Sequence, residues 1–439
     1  MSLRGARIVS AVLCLVLSSL CLAQQTTSSP AGPDDSASIV RLRQQLPSNH
    51  GLALKQFWAE VARTGAPLIE PVSGDKSYSF VTFLWRGGDD TRNVVIFDGI
   101  AGFGAKDRMV RIPSTDVWYK TYRVRNDARF SYNLSPNDSL QSFDDVRGDN
   151  AMKQRLAAFR PDPLNPHHCP TTFGAYGTDS SYVELPNAEP LLWEASTKGV
   201  AEGKLTETQI HSDIMHRDKK LWIYTPPGFS PQHAPYPLMV LFDGDRNWMW
   251  MPKILDLMIA RKQISPLVVV MTDESTPSIR TSELPCNNDF TDFLAKELVP
   301  WARERYGATS SPSRTIVAGS SYGGLASVFA GLRHPEIFGN VITLSGSFWW
   351  KPQGSAQPEW LVQQIASNPK LPLRIYQEVG LMEVGSASAD QVGSNRRMHR
   401  TLVRRGYPTH YTEYDGGHSF LNWSQGMANG LTSLMRLYD

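Results

Sequence analysis

Residues 314–332 read RTIVAGSSYGGLASVFAGL, and the change of pattern inside them decides the fold. RTIVA has the apolar, β-branched composition of a buried strand, and GGLASVFAGL reads as a helix. Between them stands Gly319-Ser320-Ser321-Tyr322-Gly323, a G-x-S-x-G pattern at a strand-to-helix turn. The central residue of such a turn is forced into a sharp bend, and the small residues around it let the bend close. Its hydroxyl is then exposed at a helix N-terminus, where unpaired N–H groups and the helix dipole favour developing negative charge. The bland alternative is a Gly/Ser turn that only ends a strand. Strand and helix together favour the other reading, with Ser321 as a nucleophile.

The surroundings agree. From Lys204 onward the apolar runs KLWIYTP, PLMVLFDGD, PLVVVMTD, NVITLSG and LRIYQEVG alternate with amphipathic stretches. In Asp289 to Tyr306, for instance, Phe290, Phe293, Leu294, Leu298 and Trp301 recur at helical spacing. That pattern predicts a mostly parallel sheet covered on both faces, and with the elbow it predicts an α/β-hydrolase domain over residues 204–439. Hydrolases of this kind run Ser, acid, His along the chain. His418 follows Asp415-Gly416-Gly417 after the alternating run HYTEY, and the glycines free its loop to bring the imidazole over Ser321. Glu383, just past the strand LRIYQEVG, is the expected acid, with Glu378 and Asp415 as competitors and a Ser–His dyad as a further alternative. The turn Asp243-Gly244-Asp245 after PLMVLF is expected to set the Gly244 N–H opposite that of Tyr322 as an oxyanion hole.

Ahead of this domain the chain divides into four parts. Residues 1–23 carry Arg4 and Arg7, an apolar run from Ile8 to Leu22, and small residues at Cys21 and Ala23, the pattern of a secretory signal peptide cleaved after Ala23. A lipoprotein site at Cys21 is disfavoured by the bulk of Leu20. Residues 24–49 read as a flexible leader, with helical signals from 38 to 64. Residues 50–140 hold short runs rich in Val, Ile, Phe, Tyr and Trp, and predict an all-β, immunoglobulin-like sandwich domain. Residues 141–203, with SPND and PDPLNPHHCP, read as a connector.

Composition narrows the function classes. The chain has 439 residues, with 44 basic and 42 acidic side chains. Loss of Arg4 and Arg7 with the leader would leave a formally neutral protein, so no global charge points to nucleic acid or an anionic membrane. No segment after residue 23 has the ~18 uninterrupted apolar residues of a membrane span. The elbow chemistry requires no cofactor, and His167-His168-Cys169 lacks a second ligand pair at zinc-like spacing, so no metal is expected. In an exported protein Cys169 and Cys286 either pair or remain separate thiols.

The segments SELPCNNDF, AGSSYGGLASVFAGLRHPEIFG, LSGSFWW and DGGHSFLNW together resemble the signature stretches of the enterochelin (ferric siderophore) esterases. VTFLWR, STDVW and DPLNP resemble that family's N-terminal domain, so the likeness covers roughly residues 50–439. It implies hydrolysis of the ester bonds of a cyclic catecholate trilactone, free or iron-loaded, with Ser321 as nucleophile, His418 as base and Arg280 on the substrate side. Ser282 departs from the pattern, standing where the family commonly carries a second Arg. Trp349 and Trp350, after the strand NVITLSG, suit stacking against catechol rings, although tryptophans there are as readily core. Trp248 and Trp250 flank the oxyanion turn. The basic run RRMHRTLVRR (396–405) reads as a solvated helix face rather than an anion site. An exported siderophore esterase, periplasmic or extracellular, is the leading reading. An exported carbohydrate esterase acting on feruloyl or acetyl groups shares the chemistry. A non-catalytic siderophore binder would have no use for the Ser321 elbow.

Overall fold

The computed structural model describes residues 36–102, 107–142, 145–169, 179–274, 276–384 and 389–435. The expected signal peptide and the first part of the leader lie outside the described residues.

The leader expected as far as residue 49 is helical from Ala37. Helix α1 (Ala37–Gln45) is capped by Ser36, and α2 (His50–Thr64) by Asn49, each side chain accepting a first-turn N–H. Ile39 and Leu42 of α1 are buried against Trp58, Leu84 and Tyr119. The Glu70 carboxylate accepts from the Ser36 and Ser38 hydroxyls at 2.6 and 2.8 Å. Two apolar anchors and a doubly bonded carboxylate thus dock the helix that the signals from residue 38 predict.

Eight strands form the sandwich: β1 (Leu68–Val72), β2 (Asp75–Arg86), β3 (Val94–Phe97), β4 (Val110–Arg111), β5 (Val117–Arg125), β6 (Arg129–Pro136), β7 (His168–Cys169) and β8 (Ser180–Glu184). They pair antiparallel as β1-β2-β5-β4 and β3-β6-β8-β7. Lettering β1 to β6 as A to F and β8 as G gives A-B-E-D over C-F-G, the immunoglobulin order, with β7 added at one edge. Strand β2 is buried on both faces: Val81 and Phe83 enter the sandwich core, while Leu84 meets α1 and α2. This accounts for its nearly continuous apolar run.

The expected connector, residues 141–203, is largely part of this domain. Strand β8 pairs with β6, Phe130 opposite Val183, and helix α3 (Asp149–Ala157) is tied in by Arg155, whose guanidinium holds the Asp138 carboxylate at 2.7 and 3.0 Å with both side chains buried. The Asp- and Asn-rich turns face inward: Tyr132 donates to Asp162 at 2.7 Å, and Asn165 donates to the Tyr132 hydroxyl. Composition suggests an irregular spacer here because turn residues that bond into a core look like turn residues in solvent.

The second domain contains β9 (Lys204–Ser212), β10 (Arg217–Thr225), β11 (Leu238–Leu241), β12 (Val268–Thr272), β13 (Thr315–Ser320), β14 (Asn340–Leu344), β15 (Arg374–Gly380) and β16 (Thr409–Tyr414). They order as β16-β15-β14-β13-β11-β12-β10-β9, parallel throughout except where β10 runs antiparallel to β12 and β9. Every residue of β11, β12, β13 and β14 is buried, as expected for strands covered on both faces. The cover is α4 (Gly244–Asn247), α5 (Met251–Ala260), α6 (Pro277–Glu283), α7 (Asn288–Phe293), α8 (Val299–Tyr306), α9 (Tyr322–Arg333), α10 (Trp360–Ser367), α11 (Gln391–Arg404) and α12 (Phe420–Met435). The helix expected over 289–306 runs through a widened turn at Leu294–Leu298, next to Pro300, which cannot donate to the preceding turn. This is an α/β-hydrolase fold.

Cys169 and Cys286 are both free. Among the described residues, no helix is long and apolar enough to cross a membrane.

Replacing Arg155 by Ala strands the Asp138 charge in the sandwich. We expect a loss of about 3–5 kcal/mol of stability, read as a lowered urea midpoint. An unchanged midpoint would show that the pair does not anchor α3.

Candidate active site

Parallel register sets the site. Ser320 at the end of β13 lies beside Leu344, Leu344 beside Glu378, and Glu378 beside Thr412. The loops carrying Ser321, Ser345, Glu383 and His418 therefore leave the sheet at one edge, the carboxyl ends of four adjacent strands.

Ser321 has φ 59° and ψ −121°, a left-handed conformation that non-glycine residues rarely adopt. Its N–H is held by Leu344 O at 2.9 Å, and its carbonyl accepts from Ser347 N at 3.1 Å. The flanking glycines are required by contact: a Cβ on Gly319 would meet the Gly323 carbonyl carbon at 2.6 Å, and one on Gly324 would meet Thr343 Oγ1 at 2.8 Å. The strained turn is held in place by close packing of α9 on β13 and β14. The Ser321 hydroxyl itself lies 3.5 Å from that of Ser347.

His418 and Glu383 meet at 2.6 Å through Nδ1 and Oε2. The other Glu383 oxygen accepts from Ser345 Oγ at 2.5 Å, Gly380 N at 2.8 Å and Tyr414 Oη at 3.1 Å. Trp423 donates to Ser345 Oγ at 2.9 Å and packs its indole edge-on against the imidazole, 4.6 Å between centroids. The carboxylate is fully buried yet well supplied with donors, the condition under which a buried carboxylate can orient an imidazole and balance its charge. Burial pushes the Tyr414 hydroxyl well above its usual range, so it stays a donor. The competing carboxylates point elsewhere. Glu378 accepts from Tyr376 at 2.7 Å and faces α12 at Gly426, and burial pushes it up to about 8. Asp415 pairs with Arg125 of the sandwich at 3.3 Å.

Tyr322 is the first residue of α9 and Gly244 the first of α4, so both backbone N–H groups sit at helix starts. The loops touch, since a Cβ on Gly323 would lie 3.4 Å from Asp243 Oδ2. Asp243 takes the left-handed conformation, φ 55°, and its own N–H is used by Glu274 at 2.7 Å. No side chain fits at Gly244, where a Cβ would be 2.7 Å from Thr272 O.

Arg280 is engaged inside the protein. Its guanidinium grips Asp243 at 2.6 and 3.0 Å and reaches Ser320 O at 3.3 Å, tying the Asp243–Gly244 turn to the elbow. The sequence reading placed it on the substrate side without this duty. The two tryptophans differ. Trp349 is half-buried, lies 6.0 Å from the Tyr322 ring and donates to Gln391 at 2.7 Å, whereas Trp350 packs edge-on against Trp360 on the core. Trp250 is core, while Trp248 and Met249 are exposed beside the oxyanion turn. In the basic run, Arg396 and Arg397 are paired with Glu413 and Glu359.

Ser345, Tyr414 and Trp423 stand inside the stretches LSGSFWW, HYTEY and DGGHSFLNW, but spacing alone gives none of them a role. Among the described residues no group of three or more His, Cys, Asp or Glu could hold a metal. A cavity of about 660 Å³ behind α12 contains no residue of the Ser321–His418–Glu383 group, so the hydrogen-bond network rather than cavity size locates the site.

A serine on a strand-to-helix elbow and an imidazole held by a buried carboxylate, on adjacent strand ends of this sheet, are the side chains that a serine carboxylic ester hydrolase uses. The Esterase family model matches residues 212–434, and the model for the N-terminal domain of enterochelin esterase matches residues 80–194. The iron(III) enterobactin esterase of Dickeya dadantii is 32% identical over 415 residues, 86% of this chain and 92% of that protein. The iron(III) salmochelin esterase of Escherichia coli is 27% identical over 413 residues, 90% and 97% of the two chains. The enterobactin esterase of Shigella flexneri, solved in the presence of enterobactin, superposes with a TM-score of 0.70 at 27% identity, covering 88% of this chain and 98% of that one. The chain belongs to the enterochelin esterase family.

Glu383→Gln removes the charge that balances the imidazolium while keeping the shape. Turnover should fall by ~10²- to 10⁴-fold, whereas Asp415→Asn, which breaks only the contact with Arg125, should cost less than about tenfold. Initial rates on p-nitrophenyl acetate would show this, and the reverse order would transfer the acid role to Asp415.

Proposed function

We propose that this protein is an exported esterase that opens the ester bonds of a cyclic catecholate trilactone siderophore, free or iron-loaded. The observation that carries the reading is the extent of the likeness: relatives named as enterobactin and salmochelin esterases align with both domains of this chain. The surroundings of the elbow suit such a substrate, because Trp349, Tyr322 and the exposed Trp248 offer flat aromatic surface to catechol rings.

In this reading Ser321 Oγ attacks an ester carbonyl carbon as His418 accepts the hydroxyl proton. Glu383 holds the imidazolium, and the Tyr322 and Gly244 N–H groups receive the oxyanion. The tetrahedral intermediate collapses to an acyl-enzyme, and His418 returns the proton to the departing serine alkoxide of the trilactone. Water, activated by the same imidazole, then releases the acid and restores Ser321. Arg280 serves this sequence by fixing Asp243, and with it Gly244, against the elbow.

Incubation with the trilactone, with its ferric complex and with feruloylated sugars, followed by chromatography, tests the substrate. We expect linear dihydroxybenzoyl-serine products, abolished by Ser321→Ala, a change worth on the order of a millionfold in turnover in a comparable triad. Cleavage of the sugar esters alone would make the protein a carbohydrate esterase. Export rests on residues 1–23 and is tested separately: the N-terminus of the protein recovered from periplasmic or extracellular fractions should be Gln24, and a soluble cytoplasmic form with Met1 intact would refute it.

A further inference from the structure

Both loops that carry the acid and the base are gripped by the sandwich domain. Met382, next to Glu383, belongs to the buried apolar cluster of the sandwich, and its N–H donates to Gly416 O at 3.0 Å. Arg129 at the start of β6 donates its N–H to Asp415 O at 3.0 Å, and a Cβ on Gly416 would lie 2.6 Å from Arg129 O. On the next residue, a Cβ on Gly417 would lie 3.1 Å from Gly99 Cα and 3.6 Å from Asp98 Oδ1. Asp98 follows β3, is 1% exposed and has φ 71°. An acidic side chain in left-handed backbone, buried one residue from the catalytic imidazole, incurs costs in both strain and desolvation.

Its supports hold it there. Ser131 Oγ donates to Asp98 Oδ2 at 3.1 Å, and the Asp98 N–H donates to Gly102 O at 3.0 Å. A Cβ on Gly99 would strike Ser131 O at 2.5 Å, so the turn admits only glycine beside it. The charged and titratable groups that face the carboxyl are His418 and Glu383 from the hydrolase and Cys169 from β7. Burial, with a smaller contribution from the Glu383 charge, pushes Asp98 up to about 6, a rise opposed by the Gly99 N–H and Ser131 bonds and by His418, while burial pushes the Cys169 thiol up and keeps it neutral. Above about pH 6 the sandwich therefore presents a negative charge to the histidine loop.

We propose that Asp98 is a positioning residue for ester hydrolysis, a second carboxylate supplied by the sandwich that fixes the His418 loop and stabilises the imidazolium formed when Ser321 is acylated. The proposal rests on the esterase chemistry and not on the siderophore, so p-nitrophenyl acetate is the primary substrate. A failure to cleave the trilactone would leave it standing.

The test compares wild type, Asp98→Asn and Asp98→Glu in the full chain, with kcat and KM measured from about pH 5 to about pH 9 and melting followed in parallel. Asp98→Asn keeps the shape and loses the charge. We expect kcat to fall about tenfold, the lower end of the loss seen when a group that orients a metal-bound histidine is removed, with KM changed less than about twofold. The acid limb of kcat/KM should move to lower pH, because the imidazolium loses a stabilising neighbour. Asp98→Glu should restore part of kcat and return the limb toward the wild-type position. An Asp98→Asn enzyme with wild-type kcat and an unmoved limb would overturn the proposal. So would a fall in kcat that tracks early melting and leaves the limb in place, since that is the behaviour of a purely structural residue.

Discussion

The Glu383 carboxylate is the point on which the active site turns. Four donors from different parts of the chain converge on it: the Gly380 N–H at the end of β15, Ser345 after β14, Tyr414 at the end of β16 and His418 ahead of α12. Buried without such partners, a carboxylate would be costly to keep in place. Through these bonds it fixes one edge of His418 and ties three strand ends together. Trp423 extends the arrangement by bonding Ser345 and bracing the imidazole face.

The elbow depends on a different kind of constraint. Ser321 is bonded at both its N–H and its carbonyl, and packing completes the hold on its positive-φ turn. The conformation persists because Gly319 and Gly324 let α9 approach β13 and β14 more closely than any side chain would permit. Opposite, a chain of buried charge sets the oxyanion turn. Lys219 bonds Glu283 at 2.7 Å and stands 3.8 Å from Glu274, Glu274 takes the Asp243 N–H, and Arg280 takes the Asp243 carboxylate. Close packing fixes Ser321, and ion pairing fixes the Asp243 turn opposite.

Local pattern made part of this legible. The six apolar strands from β10 to β15, of which β11 to β14 are buried throughout, announce themselves in composition, and Gly319 of the elbow and Gly416 of the histidine loop sit where a side chain would clash with backbone. Strand β8 hides in a Pro- and Asp-rich tract because its pairing with β6 is a long-range fact, and β9 hides because an edge strand with alternating exposure resembles a polar loop. The ion pair of Arg280 with Asp243 joins residues 37 apart, and the approach of Asp98 to Gly417 joins two domains. No spacing rule reaches either one.

The position of Met382 has a consequence for assembly. A chain made from its N-terminus completes all eight sandwich strands long before residue 382 exists, so the early sandwich has a vacancy in its core where that thioether will sit. The Arg129 N–H likewise gains its Asp415 acceptor only from that late segment. The last contacts of the first domain are thus supplied from near the end of the chain, and two architectures that look separable share buried side chains and backbone bonds.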